Sequence, residues 1–104
     1  MLKNNIEIDV FQCELNKKIK LEYIGKLKYV GETFGVDGLT DGVTYNVVKD
    51  KYGTLKVVDD SGEDYIYDFV NPRPVDNSSK GGIFVIIDDP QEELKRVISF
   101  INPD

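Results

Sequence analysis

The run Leu39-Thr40-Asp41-Gly42-Val43-Thr44-Tyr45-Asn46-Val47 decides the fold class, together with Leu55-Lys56-Val57 and Asp64-Tyr65-Ile66-Tyr67 behind it. Apolar and polar residues alternate in each, and Val43, Tyr45 and Val47 share one face. Period two marks strands with one buried face. The breaks between these runs are turn chemistry: Asp37-Gly38, Asp41-Gly42, Lys49-Asp50-Lys51-Tyr52-Gly53 and Asp59-Asp60-Ser61-Gly62-Glu63-Asp64. Pro72 and Pro74 break any regular structure after Tyr67. The reading is a mainly β (α+β) chain of short strands and tight turns.

Towards the N-terminus, Ile6-Glu7-Ile8-Asp9-Val10 and Ile19-Lys20-Leu21-Glu22-Tyr23 alternate as well. With Asn16-Lys17-Lys18 as their turn, they predict a β-hairpin extension over residues 1–25. A helix over residues 9–19 fits poorly, because Val10, Cys13 and Leu15 make a weak stripe. Beyond the hairpin lies a short echo. Leu21-Glu22-Tyr23-Ile24-Gly25 returns as Leu27-Lys28-Tyr29-Val30-Gly31. It reads as two neighbouring strands, or as one long strand bent at Gly25. Gly31, Gly35, Gly38 and Gly42 then mark a long irregular loop.

Towards the C-terminus, Asn77-Ser78-Ser79-Lys80-Gly81-Gly82 has linker composition. Ile83-Phe84-Val85-Ile86-Ile87 is an unbroken apolar run, as in a strand covered on both faces. Asp89 is placed to cap a helix that opens at Pro90 and carries Glu92 and Glu93 in its first turn. Leu94, Val97, Ile98 and Ile101 fall on one helical face, and Asn102-Pro103 ends it. Residues 83–104 are therefore expected to form a strand and an amphipathic helix.

The chain has 104 residues and a formal net charge of −6, which suits one domain spanning 1–104. A pI near 4.6 argues against nucleic-acid binding, which needs cations to displace phosphate counterions. No apolar run approaches the roughly 18 residues of a membrane span. The absence of His excludes Ser-His-Asp and Cys-His catalysis. Cys13, the single cysteine, has no partner for a disulfide or a structural zinc site, and a lone thiol fits a cytoplasmic setting. No cofactor or metal is expected. From Asp59, a calcium loop would need Gly at position six and Glu at twelve; the chain has Asp64 and Val70. Asp59–Asp64 reads instead as a solvated hairpin tip, and Asp88-Asp89 as capping.

Residues 26–76 resemble an SH3-like small β-barrel. Leu27-Lys28-Tyr29-Val30 resembles its first strand, and the glycine-rich stretch to Gly38 its long loop. Leu39 to Val47 resembles its diverging turn and second strand. Tyr52-Gly53-Thr54-Leu55-Lys56-Val57-Val58-Asp59 resembles the third strand, and Gly62-Glu63-Asp64-Tyr65-Ile66-Tyr67 the hairpin and fourth. Phe69-Val70 through Val75 resembles the closing segment. The stretch is also similar to short, mostly uncharacterised bacterial proteins carrying Leu-Thr-x-Gly-x-x-Tyr and Asp-Asp-x-Gly-Glu-Asp-Tyr-x-Tyr. The resemblance implies a bacterial cytoplasmic protein that acts by binding. SH3 domains that grip Pro-x-x-Pro peptides use a Trp on the third strand, and this chain has none. Tyr65 matches their aromatic at the start of the fourth strand, Tyr67 replaces their proline, and Glu32 and Asp37 are what remains of their acidic loop.

These residues point to a candidate protein-binding surface of Tyr29, Tyr45, Tyr52, Tyr65, Tyr67, Glu32 and Asp37. Tyrosine suits interfaces through its large area, polar tip and small entropy loss. The same tyrosines would equally serve to pack the terminal extensions onto the barrel. If Ile66 enters the core, Tyr65 and Tyr67 point away from it. The expected function is a non-enzymatic protein-binding or regulatory module with an aromatic and acidic surface. The alternative is an immunity-type inhibitor of a basic toxin or nuclease, in keeping with small size, acidity and no catalytic machinery.

Overall fold

The computed structural model describes residues 6–101. Six strands and one helix succeed each other: β1 (Glu7–Gln12), β2 (Lys17–Gly31), β3 (Thr44–Lys49), β4 (Leu55–Val58), β5 (Asp64–Tyr65), β6 (Gly82–Asp88) and α1 (Glu93–Ile101). The strands make one antiparallel sheet in the order β1-β2-β3-β4-β5, with β6 also paired to β2. The sheet curls into a half-barrel. The protein is mainly β, and among the described residues no helix is long and apolar enough to cross a membrane.

The β1–β2 hairpin pairs Ile8 with Leu21 and Val10 with Ile19. Its turn is Cys13–Asn16, not Asn16–Lys18. Asn16 takes the left-handed conformation (φ 52°), and Asn16 N–H donates to the Cys13 carbonyl at 3.1 Å. Asn tolerates that conformation better than Lys does, so Lys17 and Lys18 open β2.

β2 is a single bent strand of 15 residues. Its pairing with β3 slips by one residue between Tyr23 and Gly25, leaving Ile24 as the extra residue of a β-bulge. Gly25 sits at the bend for a steric reason. A Cβ there would run into the Asp88 carbonyl oxygen and come within 2.7 Å of Leu94 Cδ1.

The bulge changes which face each residue serves. Ahead of it, Leu21 joins Val10 and Val48 in a small buried cluster, with Ile8, Ile19 and Val58 against it. Beyond it, Leu27 and Tyr29 belong to the main core on the opposite face, with Ile24, Tyr45, Val47, Val57, Phe84 and Leu94. Leu27, Val47 and Val57 are fully enclosed. Each contributes roughly 1.5–3 kcal/mol by burial.

Past the bulge, β6 lies along the edge of β2 away from β3. Val30 opposes Ile83 and Tyr29 opposes Phe84. β1 and β6 therefore succeed one another along the same edge. Only one face of β6 is covered: Phe84 is buried, whereas Ile83, Val85 and Ile87 are exposed. Residues 69–75 form no strand, contrary to the expected closing segment. Phe69 packs against the core, Pro72 is fully buried, and β6 is the strand that returns to β2. The segment 77–82 is fastened at several points. Gly82 N–H donates to the Pro72 carbonyl at 3.1 Å, Glu32 N–H donates to the Gly81 carbonyl at 3.1 Å, and Ser79 Oγ–H donates to the Glu32 carboxylate.

The helix starts three residues later than its proline suggested. Glu92 adopts φ 59°, which cannot continue a helix, so Pro90 stays in the preceding turn. Asp89 still caps, with its carboxylate accepting from Leu94 N–H at 3.0 Å and Lys95 N–H at 2.7 Å. Leu94 is buried and Ile98 packs on the core. The expected stop at Asn102-Pro103 lies outside the described residues.

Candidate functional site

The five tyrosines separate into three groups. Tyr29 and Tyr45 are core residues and offer no binding surface, contrary to expectation. Tyr29 is fully buried, stacks edge-on against Phe34 at 5.9 Å between centroids, and donates its hydroxyl proton to the Glu32 carbonyl at 2.5 Å. Tyr67 is half-buried against the core. Tyr52 and Tyr65 are exposed on separate turns. Ile66 does not enter the core but is 71% exposed, because β5 stops at Tyr65 and the chain turns Tyr67 inward instead.

Two polar clusters explain the buried hydroxyls. Tyr45 Oη–H donates to Asp60 Oδ1 at 2.7 Å and accepts from Thr40 N–H at 2.7 Å, while Thr40 Oγ1–H donates to Asp60 Oδ2 at 2.8 Å. Tyr67 Oη–H donates to Asp59 Oδ2 at 2.6 Å. Asp59 is itself buried, and its other oxygen accepts from Ser61 N–H at 2.9 Å and Ser61 Oγ–H at 2.5 Å. A buried carboxylate needs such partners. The Tyr45 phenol is pushed up to about 12, first by burial and then by its bond to Asp60. Burial and Asp59 raise Tyr67 as well.

These bonds account for most of the tyrosine and aspartate pattern in the sequence. Leu39 fills the core; Thr40, Tyr45 and Asp60 lock two loops together; Asp59 and Tyr67 close the hairpin on itself. Gly42 and Gly62 supply φ of 85° and 86°. Glu63 and Asp64 reach across to the first hairpin. Glu63 Oε1 accepts from Cys13 N–H at 3.0 Å, and Asp64 Oδ1 accepts from Gln12 Nε2 at 2.8 Å. The pattern is structural, and it needs no bound ion to satisfy it.

The locked loops carry charge of one sign. Residues 29–48 contain Glu32, Asp37 and Asp41, residues 57–72 contain Asp59, Asp60, Glu63, Asp64 and Asp68, and neither stretch has a Lys or Arg. Asp60 N–H donates to the Gly38 carbonyl at 3.0 Å, so both loops meet at one end of the molecule. Asp37, Asp41 and Asp60 are exposed there. On the same two loops Val36 (96%), Ile66 (71%) and Tyr65 (47%) are exposed. Nearby negative charge, Glu63 foremost, raises the Tyr65 phenol. Glu32 is partly committed elsewhere: Ser79 and the Lys80 N–H bind its carboxylate and lower its pKa.

The lysines fall in two runs of the sequence. Lys17, Lys18, Lys20, Lys26 and Lys28 lie on β2, and Lys49, Lys51 and Lys56 lie on or between β3 and β4. A groove of about 530 Å³ beside Tyr52 takes Lys20, Lys49, Lys51 and Lys56 of these, matched by Glu7, Glu22, Asp50 and Asp64. Lys56 is half-buried between Asp50 at 3.3 Å and Asp64 at 3.7 Å. The Lys51 ammonium sits 5.3 Å from the Tyr52 ring centroid. Of the expected site residues, only Tyr52 lines this groove. Sequence reading missed it because its walls come from two hairpins whose relative placement no local pattern encodes. The one available signal was the clustering of lysines in residues 17–28 and 49–56.

Among the described residues, no three His, Cys, Asp or Glu side chains converge as metal ligands. Cys13 is exposed. The chain matches no protein-family model, no curated protein and no solved structure.

Proposed function

We propose that this chain is a non-enzymatic protein-binding module whose acidic end grips a basic partner. The observation that carries this reading is the joined pair of loops, 31–42 and 59–68, with acids and no lysine or arginine. Their exposed Tyr65, Ile66 and Val36 add apolar area beside that charge. Aspartates steer a cationic partner and speed encounter, and the apolar residues supply the desolvated contact that holds it. The Tyr45–Asp60–Thr40 bonds fix the loop conformation in advance, which reduces the entropy lost on binding.

An SH3-like build is part of the same proposal. It is supported by the long loop between β2 and β3, pinched by the Phe34–Leu39 bridge, and by the return of β6 to the second half of β2. An immunity-type inhibitor is the special case in which the basic partner is a toxin or nuclease.

The test is affinity capture from the source cells, followed by association kinetics with the purified partner. A basic partner is expected, with an association rate that falls steeply as salt rises. Tyr65→Ala should weaken binding by on the order of 2 kcal/mol, as truncating an interface tyrosine does. Asp37→Lys should slow association, and Tyr52→Ala should change neither. A partner that ignores both salt and Tyr65→Ala would sink the reading.

A further inference from the structure

β6 is paired along one edge only, the edge that faces β2. Glu32 N–H donates to the Gly81 carbonyl on that side, and Gly82 N–H donates to the Pro72 carbonyl on the other. Backbone groups alternate along a strand, so those of Ile83 and Val85 reach β2, and those of Phe84 and Ile86 point away. Tyr29, opposite Phe84, agrees: its own backbone bonds to Gly42 and Val43, on the β3 side. The N–H and carbonyl groups of Phe84 and Ile86 therefore have no partner among the described residues. The run Ile83–Ile87 holds no charge and no proline, and Ile83, Val85 and Ile87 are exposed. Other edges of the sheet are guarded: β5 is only two residues long, and Glu7 and Asp9 bring charge to β1.

We infer that β6 is an interface for a second copy of this chain, docked β6 against β6 and antiparallel in a two-fold dimer. The edge is complementary to itself. With Phe84 opposite Ile86 of the other copy, each such pair exchanges both N–H···O bonds, and Val85 meets its own counterpart on the two-fold axis. Ile83 then lies beside Ile87 of the other copy, so every cross-strand pair is apolar. The free groups end where this pairing ends. Gly82 is already bound by the Pro72 carbonyl and by Asn71 Nδ2, which donates to its carbonyl at 3.0 Å, and a bulge at Ile87 leaves the Asp88 carbonyl facing Gly25. Charge fixes the direction. The Gly82 end of β6 carries Arg73, which packs against Gly81, and the exposed Lys80; Glu32 there is held by Ser79. Asp88 and Asp89 stand at the other end. Antiparallel docking sets each cationic end beside the other copy's carboxylates, whereas parallel docking would set like beside like. The closed pair uses up both free edges, so association stops at the dimer. The interface shares no residue with the acidic end, so either can fail without the other.

The test follows the mass of the whole chain by sedimentation as its concentration rises. The mass should climb from 11.8 kDa towards twice that value between roughly 10 μM and 1 mM, as suits an interface at the small end of the size range. Hydrogen exchange at the Phe84 and Ile86 amides should slow over the same range. Val85→Lys puts two ammonium groups together on the axis at an exposed position. It should weaken association about tenfold or more while the dilute chain keeps its urea midpoint. Two cysteine variants check the register, in a Cys13→Ser background with oxidised glutathione as the oxidant. Val85→Cys should give a disulfide-linked dimer, because opposed residues there lie about 4.5 Å apart between Cα atoms. Ile87→Cys should not, because its counterpart lies roughly 13 Å away along the strand. The inference is overturned by a mass that stays at 11.8 kDa up to about 1 mM, or by one that grows past the dimer. It is equally overturned if Val85→Lys associates as tightly as the wild type, or if the two cysteine variants cross-link alike.

Discussion

The two halves of β2 have similar sequences and different fates. Leu21 and Tyr23 in the first half correspond to Leu27 and Tyr29 in the second, at the same spacing before a glycine. Leu27 and Tyr29 are enclosed in the main core with strands on both sides. Leu21 sits in a three-residue cluster on the other face, and Tyr23 is half-exposed, its hydroxyl donating to Asp88. One inserted residue, Ile24, separates the halves and reverses which face the odd-numbered positions serve. The difference teaches that alternation specifies parity, while a bulge decides what the parity means.

The comparison can be broken most severely by inserting one alanine between Val47 and Val48, opposite Ile24. With a partner for the extra residue the ladder becomes regular, Leu21 and Leu27 stand six positions apart on one face, and one of the two clusters loses its residues to solvent. The expected outcome is loss of the cooperative unfolding transition in urea. A stably folded insertion variant would show that the bulge is dispensable.

A milder pair sharpens the same contrast. Leu27→Ala should destabilise the whole protein by about 4 kcal/mol, within the range for enclosed leucines. Leu21→Ala should cost about 2 kcal/mol, and its effect on hydrogen exchange should be confined to β1 and the first half of β2. Equal effects spread over the whole sheet would mean that the two clusters form one cooperative unit.

Smaller again is the contribution of the buried hydroxyl of Tyr45, which faces Leu27 across the β2–β3 pairing. Tyr45→Phe should cost about 1–2 kcal/mol, since Asp60 and Thr40 both lose their partner. Its pH dependence comes from the raised pKa. The folded protein holds the Tyr45 proton up to about pH 12, whereas the unfolded chain releases it near 10. The folded state therefore binds more protons between these values, and stability falls as pH rises from 10 to 12. Tyr45→Phe should flatten that decline in urea titrations, while acidic and neutral pH leave its slope unchanged. The least effect is expected at the exposed Lys20–Asp9 pair, 3.0 Å apart. Lys20→Ala should move stability by no more than about 0.5 kcal/mol.

Much of this architecture could be read from residue order. The alternation around Tyr45 and Val57 located β3 and β4, and the two N-terminal runs formed the expected hairpin. The bend at Gly25 was one of two readings of the echo. Its cause was hidden, because the atoms that exclude a side chain there belong to Asp88 and Leu94. The closing strand was misplaced for a related reason. Phe69 and Val70 are apolar enough for a strand, but burial of Pro72 and anchoring of Gly82 hand that role to β6. The tyrosines were the hardest to sort. A tyrosine on a strand looks the same from sequence whether its hydroxyl meets water or a distant carboxylate; the Tyr45 partner Asp60 lies on another loop, and Asp59 meets Tyr67 only once the hairpin closes. The acidic end was legible as charge but not as one place, since its loops are joined by bonds from Asp60 to Gly38, Thr40 and Tyr45 that no local pattern encodes.

The tandem placement of β1 and β6 along one edge of β2 also orders events in time. Residues 7–12 and 17–22 are neighbours in sequence, and hairpins of that kind zip up within about 1–10 μs. The far half must wait until segments as remote as Leu27 and Ile86 find each other, and such non-local pairing is slow. On a ribosome, β6 is among the last strands to emerge. Until it docks, Val30 and its neighbours form a bare ribbon that any sticky strand could seize, so the polypeptide spends its youth most vulnerable at what becomes its firmest region.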